Sequence, residues 1–112
     1  MIYKGYDLIK SSYVLLIPVL LTFIGCSSGP IDAKALYKED CLKCHGKFAR
    51  KSALGKSQVI ANWSKEKIEH AILGYQDETY GRSNKSLMRA QVNSLNSAEV
   101  DALAVYISNM NN

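Results

Sequence analysis

An all-α domain is predicted by three observations. Apolar residues recur at helical spacing, most clearly at Ile68, Ala71, Ile72 and Tyr75. No stretch of useful length alternates apolar with polar residues, and no internal repeat is visible. Helix-start signals also stand where apolar faces begin, with Asp32 placed as an N-cap and Asn96-x-x-Glu99 spaced as a capping box.

Residues 31–44 read as the first helix, with Leu36, Tyr37 and two cysteines near one face. Gly46 releases the chain into a basic loop that runs through Gly55. A second helix begins at Ser64 and carries Gly74 close to its end. A polar loop over residues 76–84 follows, containing Tyr80 and Gly81. Residues 85–92 read as a short helical piece. The last helix starts at the Asn96 box and presents Val100, Leu103, Ala104 and Ile107 on its apolar face.

The chain has 112 residues, enough for one domain, and part of that length is not domain. Lys4 and Lys10 precede an apolar run over residues 13–24, interrupted by Pro18 and Thr22 and followed by small residues. A basic start, a short apolar stretch and a small-residue cut site describe a secretory signal. The run falls short of the ~20 residues a membrane span requires; an uncleaved anchor is the alternative. Phe23-Ile24-Gly25-Cys26 resembles a bacterial lipobox, with Phe23 where Leu is usual. That resemblance implies a lipoprotein-type signal over residues 1–25 and lipid attachment at Cys26. Residues 26–32 would then be a tether and residues 33–112 the domain. Ordinary cleavage nearby, leaving Cys26 as a free thiol, is the other reading.

Loss of Lys4, Lys10 and Asp7 with the signal lowers the formal charge from +4 to +3. Lys34, Lys38, Lys43, Lys47, Arg50, Lys51 and Lys56 crowd one part of the chain, where Glu39 and Asp40 are the only acids. Such a run is either a solvated face or a surface that steers an acidic partner. A nucleic-acid role is excluded, since no binding-fold motif accompanies the lysines.

Within that basic region lies Cys41-Leu42-Lys43-Cys44-His45. Two cysteines three apart with histidine directly after form the attachment signal for a c-type haem. The thiols add across the two vinyl groups, and His45 follows where its imidazole reaches the iron. A thioredoxin-like redox pair would need a surrounding βαβ pattern, which is missing. A structural zinc site would need about four ligands, and only Cys26 and His70 remain to supply them. A core of about 85 residues is marginal for one apolar cluster, and a covalent porphyrin would serve as its centre.

An iron bound by one histidine keeps an open position. Met110 reads as core filler or frayed terminus in the last two turns of the final helix, and His70 as a surface residue opposite the apolar stripe. Met88 lies in a short segment reached from a glycine-bearing loop and can approach from the far side, although helix packing is the commoner use of methionine.

From residue 33 to residue 109 the chain resembles the class I monohaem cytochromes c, especially their small bacterial periplasmic members. The resemblance rests on Ala35-Leu36-Tyr37-Lys38, Cys41-x-x-Cys44-His45-Gly46, Gly74-Tyr75, Tyr80-Gly81, Lys85-Ser86-Leu87-Met88 and Ala104-Val105-Tyr106-Ile107. It implies three to four helices wrapped around one covalently attached haem c. It further implies axial ligation by His45 and Met88, and a crossing of the first and last helices that brings Leu36 and Tyr37 near Leu103 and Tyr106. Tyr75 and Tyr80 would either contact haem propionates or serve in the core, and Trp63 either packs on the porphyrin or staples a helix start.

The function implied is one-electron transfer in a bacterial respiratory chain rather than enzymatic chemistry. Expected partners are a quinol-oxidising complex as donor and a terminal oxidase or peroxidase as acceptor, on the periplasmic side of the envelope. The rival is a haem enzyme or gas sensor with an open distal site. One departure stands out: residues 46–62 contain no proline, whose carbonyl orients the proximal histidine in many members. A carbonyl near Ala53 to Gly55 is therefore expected to accept from His45.

Overall fold

The computed structural model describes residues 29–111; the signal segment, Cys26 and the start of the tether lie outside the described residues. Among the described residues there are five α-helices and no strand: α1 (Ala33–Leu36), α2 (Leu42–His45), α3 (Lys65–Gln76), α4 (Lys85–Val92) and α5 (Ser97–Ser108). A π turn over Tyr37–Cys41 joins α1 to α2 without a break. The first helix therefore begins two residues later than 31, reaches His45, and is not uniformly α-helical.

Local chemistry explains where the helices start. Asp32 caps α1, its Oδ1 accepting from the Ala35 amide at 3.0 Å. Ser64 caps α3 by accepting from the Lys67 amide at 3.2 Å. Trp63 and Ile68 stand just before that cap and at the fourth helical position, the places of a hydrophobic staple, and both pack in the core. The Asn96–Glu99 box closes in both directions, at 3.0 and 2.9 Å. Gln76, expected in a loop, is the last residue of α3.

α3 and α5 pack most extensively on each other, α1 lies against α5, and α4 lies against α3 and the π turn. Their shared core contains Ile68, Ile72, Val92, Val100, Leu103, Ala104 and Ile107. Tyr37 meets Tyr106 with ring centroids 5.8 Å apart, so the first and last elements cross as expected.

Gly74 and Gly81 shape the link from α3 to α4. A Cβ on Gly74 would stand 2.6 Å from the Tyr80 Cβ, and one on Gly81 would collide with the Tyr75 ring. Each glycine seats the other's tyrosine, and the two rings meet edge-on at 5.2 Å. Gly81 also takes a φ of 98°, where side-chain-bearing residues are strained.

Candidate haem-attachment site

Tyr37, Cys41 and His45 are all buried and stand four residues apart. In a regular α-helix each four-residue step overshoots a full turn by about 40°, so three such residues would drift off one face. The wider π turn between Tyr37 and Cys41 falls short of a full turn and offsets that drift. Cys41 and His45 consequently face the same interior, with Cys44 half-buried beside them. Both thiols are free. Burial, then the neighbouring Asp40 and Cys44, pushes the Cys41 thiol up to about 12.

His45 is 6% exposed, and its buried Nδ1 has no hydrogen-bond partner among the described residues. Burial lowers its pKa, which favours the neutral imidazole that a metal binds. The expected acceptor near Ala53 to Gly55 is not engaged. The chain forms a 3₁₀ turn there, and the Ala53 carbonyl accepts from the Lys56 and Ser57 amides at 3.0 and 3.2 Å. The backbone fixes the histidine instead. The His45 carbonyl accepts from the Lys51 amide at 2.9 Å, and the Gly46 carbonyl from the Tyr37 hydroxyl at 2.7 Å. Gly46 has a φ of 74°, and a Cβ there would stand 2.9 Å from the Lys51 Cβ.

Met88 is half-buried on α4 and packs against the cluster that contains Cys41. Its competitors lie elsewhere. His70 is exposed, edge-on to Tyr80 at 6.0 Å. Met110 packs against the core from beyond the end of α5, so of its two readings it takes that of core filler, although it is not helical. Tyr75 and Tyr80 are half-buried, and Trp63 packs on the polypeptide core with the Lys67 Nζ 3.9 Å over its ring.

These residues fit a covalently held haem. They supply two free thiols three apart, a buried neutral imidazole with an orphaned nitrogen, and a thioether from a separate helix. Among the described residues no cluster of three His, Cys, Asp or Glu could hold a bare metal ion; Cys26, which the zinc alternative would draw on, lies outside them. When bound, haem supplies one-electron exchange between ferric and ferrous iron.

The surface around the motif is strongly positive. Lys34, Lys38, Lys43, Lys47, Arg50, Lys51 and Lys56 are all exposed. Lys47 and Arg50 flank the exposed Phe48 ring at 5.1 and 5.8 Å. Sequence reasoning missed the π turn and the Tyr37 and Lys51 contacts around His45. The four-residue recurrence of Tyr37, Cys41 and His45 was the available signal for the first.

Comparison with known proteins agrees with this geometry. The family described as Cytochrome c matches residues 31–111. Cytochrome c-553 of Desulfomicrobium norvegicum is 31% identical over 80 residues, covering 71% of this chain and 96% of that protein. Cytochrome c-553 of Helicobacter pylori is 37% identical over 76 residues, or 68% of this chain and 75% of that one. Cytochrome c-553 of Nitratidesulfovibrio vulgaris is 30% identical over 97 residues, or 87% and 94%. The chain belongs to the cytochrome c family, and is an electron-transfer protein that carries one covalently attached haem c.

Proposed function

We propose that this cytochrome is a one-electron carrier of a bacterial respiratory chain, with its iron held between His45 and Met88. The observation that carries the ligation is the placement of Met88, half-buried against the cluster that contains Cys41. A methionine opposite a histidine raises the potential relative to two histidines. That supports a quinol-oxidising complex as donor and a terminal oxidase or peroxidase as acceptor.

Cys41 and Cys44 tether the ring, and Tyr75 and Tyr80 contact its propionates. Residues 1–25 act as a lipoprotein-type signal, Cys26 takes the lipid, and residues 26–32 tether the domain of residues 33–112 to a membrane on the periplasmic side. The exposed lysines around the motif receive the acidic face of the redox partner.

Replacement of the ligand tests the assignment. Met88→Ala in the holoprotein should abolish the weak near-infrared sulfur-to-iron band and open the reduced iron to carbon monoxide. Persistence of the band would show that another residue holds the distal position. Fast carbon monoxide binding by the unaltered protein would favour an open-site enzyme or sensor instead.

A further inference from the structure

We propose that Gln76 is a positioning residue for Met88, acting through the seat of α4. Gln76 ends α3, and its side-chain Nε2 donates both protons across to the next element. One goes to the Val92 carbonyl at 2.8 Å and the other to the Leu95 carbonyl at 2.9 Å. Val92 is the last residue of α4 and is buried; Leu95 lies in the connection to α5 and packs against the core. Val92 follows Met88 by four residues, so both lie on one face of α4. The single amide therefore holds the end of the helix whose face carries the thioether.

Beyond its apolar packing against α3 and the π turn, α4 has few polar contacts to fix its seat. It spans eight residues, too short to persist without tertiary support. Its N-cap Asn84 makes no side-chain capping bond, and no acid stands in its first turn. The Arg89–Glu78 pair, at 2.6 Å, is exposed on both sides and correspondingly weak. The methionine-on and methionine-off states of such a site are in equilibrium, and whatever holds α4 in its seat favours the former. Neither hydrogen bond of the Gln76 side chain goes to Met88.

This inference rests on Met88 being the distal ligand, so the test separates the two. Holoproteins carrying Gln76→Met, Met88→Ala and Ser64→Ala are compared with wild type. Gln76→Met keeps the length and removes both donors. Carbon monoxide must wait for Met88 to leave, so its association rate with the reduced protein reports the methionine-off population.

Two lost hydrogen bonds should raise that rate about tenfold. Ser64→Ala, at the opposite end of α3, should leave it at the wild-type value despite a loss of stability. A Gln76→Met rate no faster than that of Ser64→Ala overturns the proposal. If Met88→Ala keeps the near-infrared band, the ligation itself is wrong and the proposal falls with it.

A second measurement needs no variant. Hydrogen exchange of the two Gln76 side-chain protons should be slow in the ferric wild type and accelerate when cyanide displaces Met88, since coupling is reciprocal. Exchange that cyanide leaves unchanged counts against the coupling.

Discussion

Tyr37 is 3% exposed and donates its hydroxyl to the Gly46 carbonyl, next to the histidine of the attachment motif. Burial above all, and the nearby Cys41 thiol in second place, raises its pKa from 10.0 to about 12. Between these values the unfolded chain has lost the phenolic proton and the native protein keeps it, so native stability falls as pH rises. Each unit of separation is worth about 1.4 kcal/mol. Tyr37→Phe should lose about 0.5–1.5 kcal/mol at neutral pH through the one lost hydrogen bond, since the Gly46 carbonyl still accepts from the Ala49 amide at 3.2 Å. Its deficit should narrow above pH 10, which guanidinium midpoints at a series of pH values will measure. Gly74 sets up a different competition. Alanine there would gain about 1 kcal/mol of helix propensity. The added methyl meets the Tyr80 Cβ at 2.6 Å, backed by a half-buried ring rather than a flexible chain end. Overpacking of about 1–3 kcal/mol is the larger effect, so Gly74→Ala should lower Tm. The motif, the glycines and the two tyrosine pairs could be named from residues alone. Which glycine seats which tyrosine could not, because each contact spans a loop.

At the level of elements, the starts of α1 and α5 were legible because the groups that cap a helix lie within three residues of one another. Asn96→Ala should cost about 1 kcal/mol and speed hydrogen exchange in the first turn of α5 while leaving α3 unchanged. A loss spread evenly over the molecule would argue against a local cap. The π turn had one faint signal, the four-residue recurrence of Tyr37, Cys41 and His45. Its residues Tyr37-Lys38-Glu39-Asp40-Cys41 have no composition that distinguishes them from an α-helix. What selects the wider turn is the burial of Tyr37, Cys41 and His45 together, a demand made by the helices packed against them. The same holds for the second shell of His45. The local 3₁₀ turn at Ala53–Gly55 uses the Ala53 carbonyl internally, and the residue type at those positions does not reveal that.

Across the whole molecule, charge is divided unevenly. No acid occurs between Asp40 and Glu66, a stretch that carries Lys43, Lys47, Arg50, Lys51, Lys56 and Lys65. Its first five cations are exposed and unpaired among the described residues, whereas Lys65 bridges α3 to Asp101 of α5 at 2.6 Å. Exposed charges of one sign attract an oppositely charged reactant over roughly a Debye length, about 8 Å at physiological salt. Electron transfer from ferrocyanide, an anionic probe, should therefore slow as ionic strength rises. Charge reversal at Lys47 and Lys51 together should slow it several-fold at low salt and hardly at all at high salt. An ionic-strength profile that is flat for wild type would leave these lysines as a solvated face only.

The amino-acid sequence by itself determined the cofactor class, because Cys41, Cys44 and His45 of the attachment motif lie within five consecutive residues and no folding is needed to bring them together. It determined the all-α class and most helix starts for the same reason, since periodicity and caps act over a few residues. Only the tertiary structure decided how the site is held. The packing of Met88 against the cluster that contains Cys41 and the Gln76 bridge to Val92 and Leu95 join segments far apart in the chain, and the π turn, although local, answers the burial that such packing imposes. Such contacts form only when burial of α3 against α5 and α4 compensates the entropy of closing the loops between them, a balance that no single stretch of residues contains.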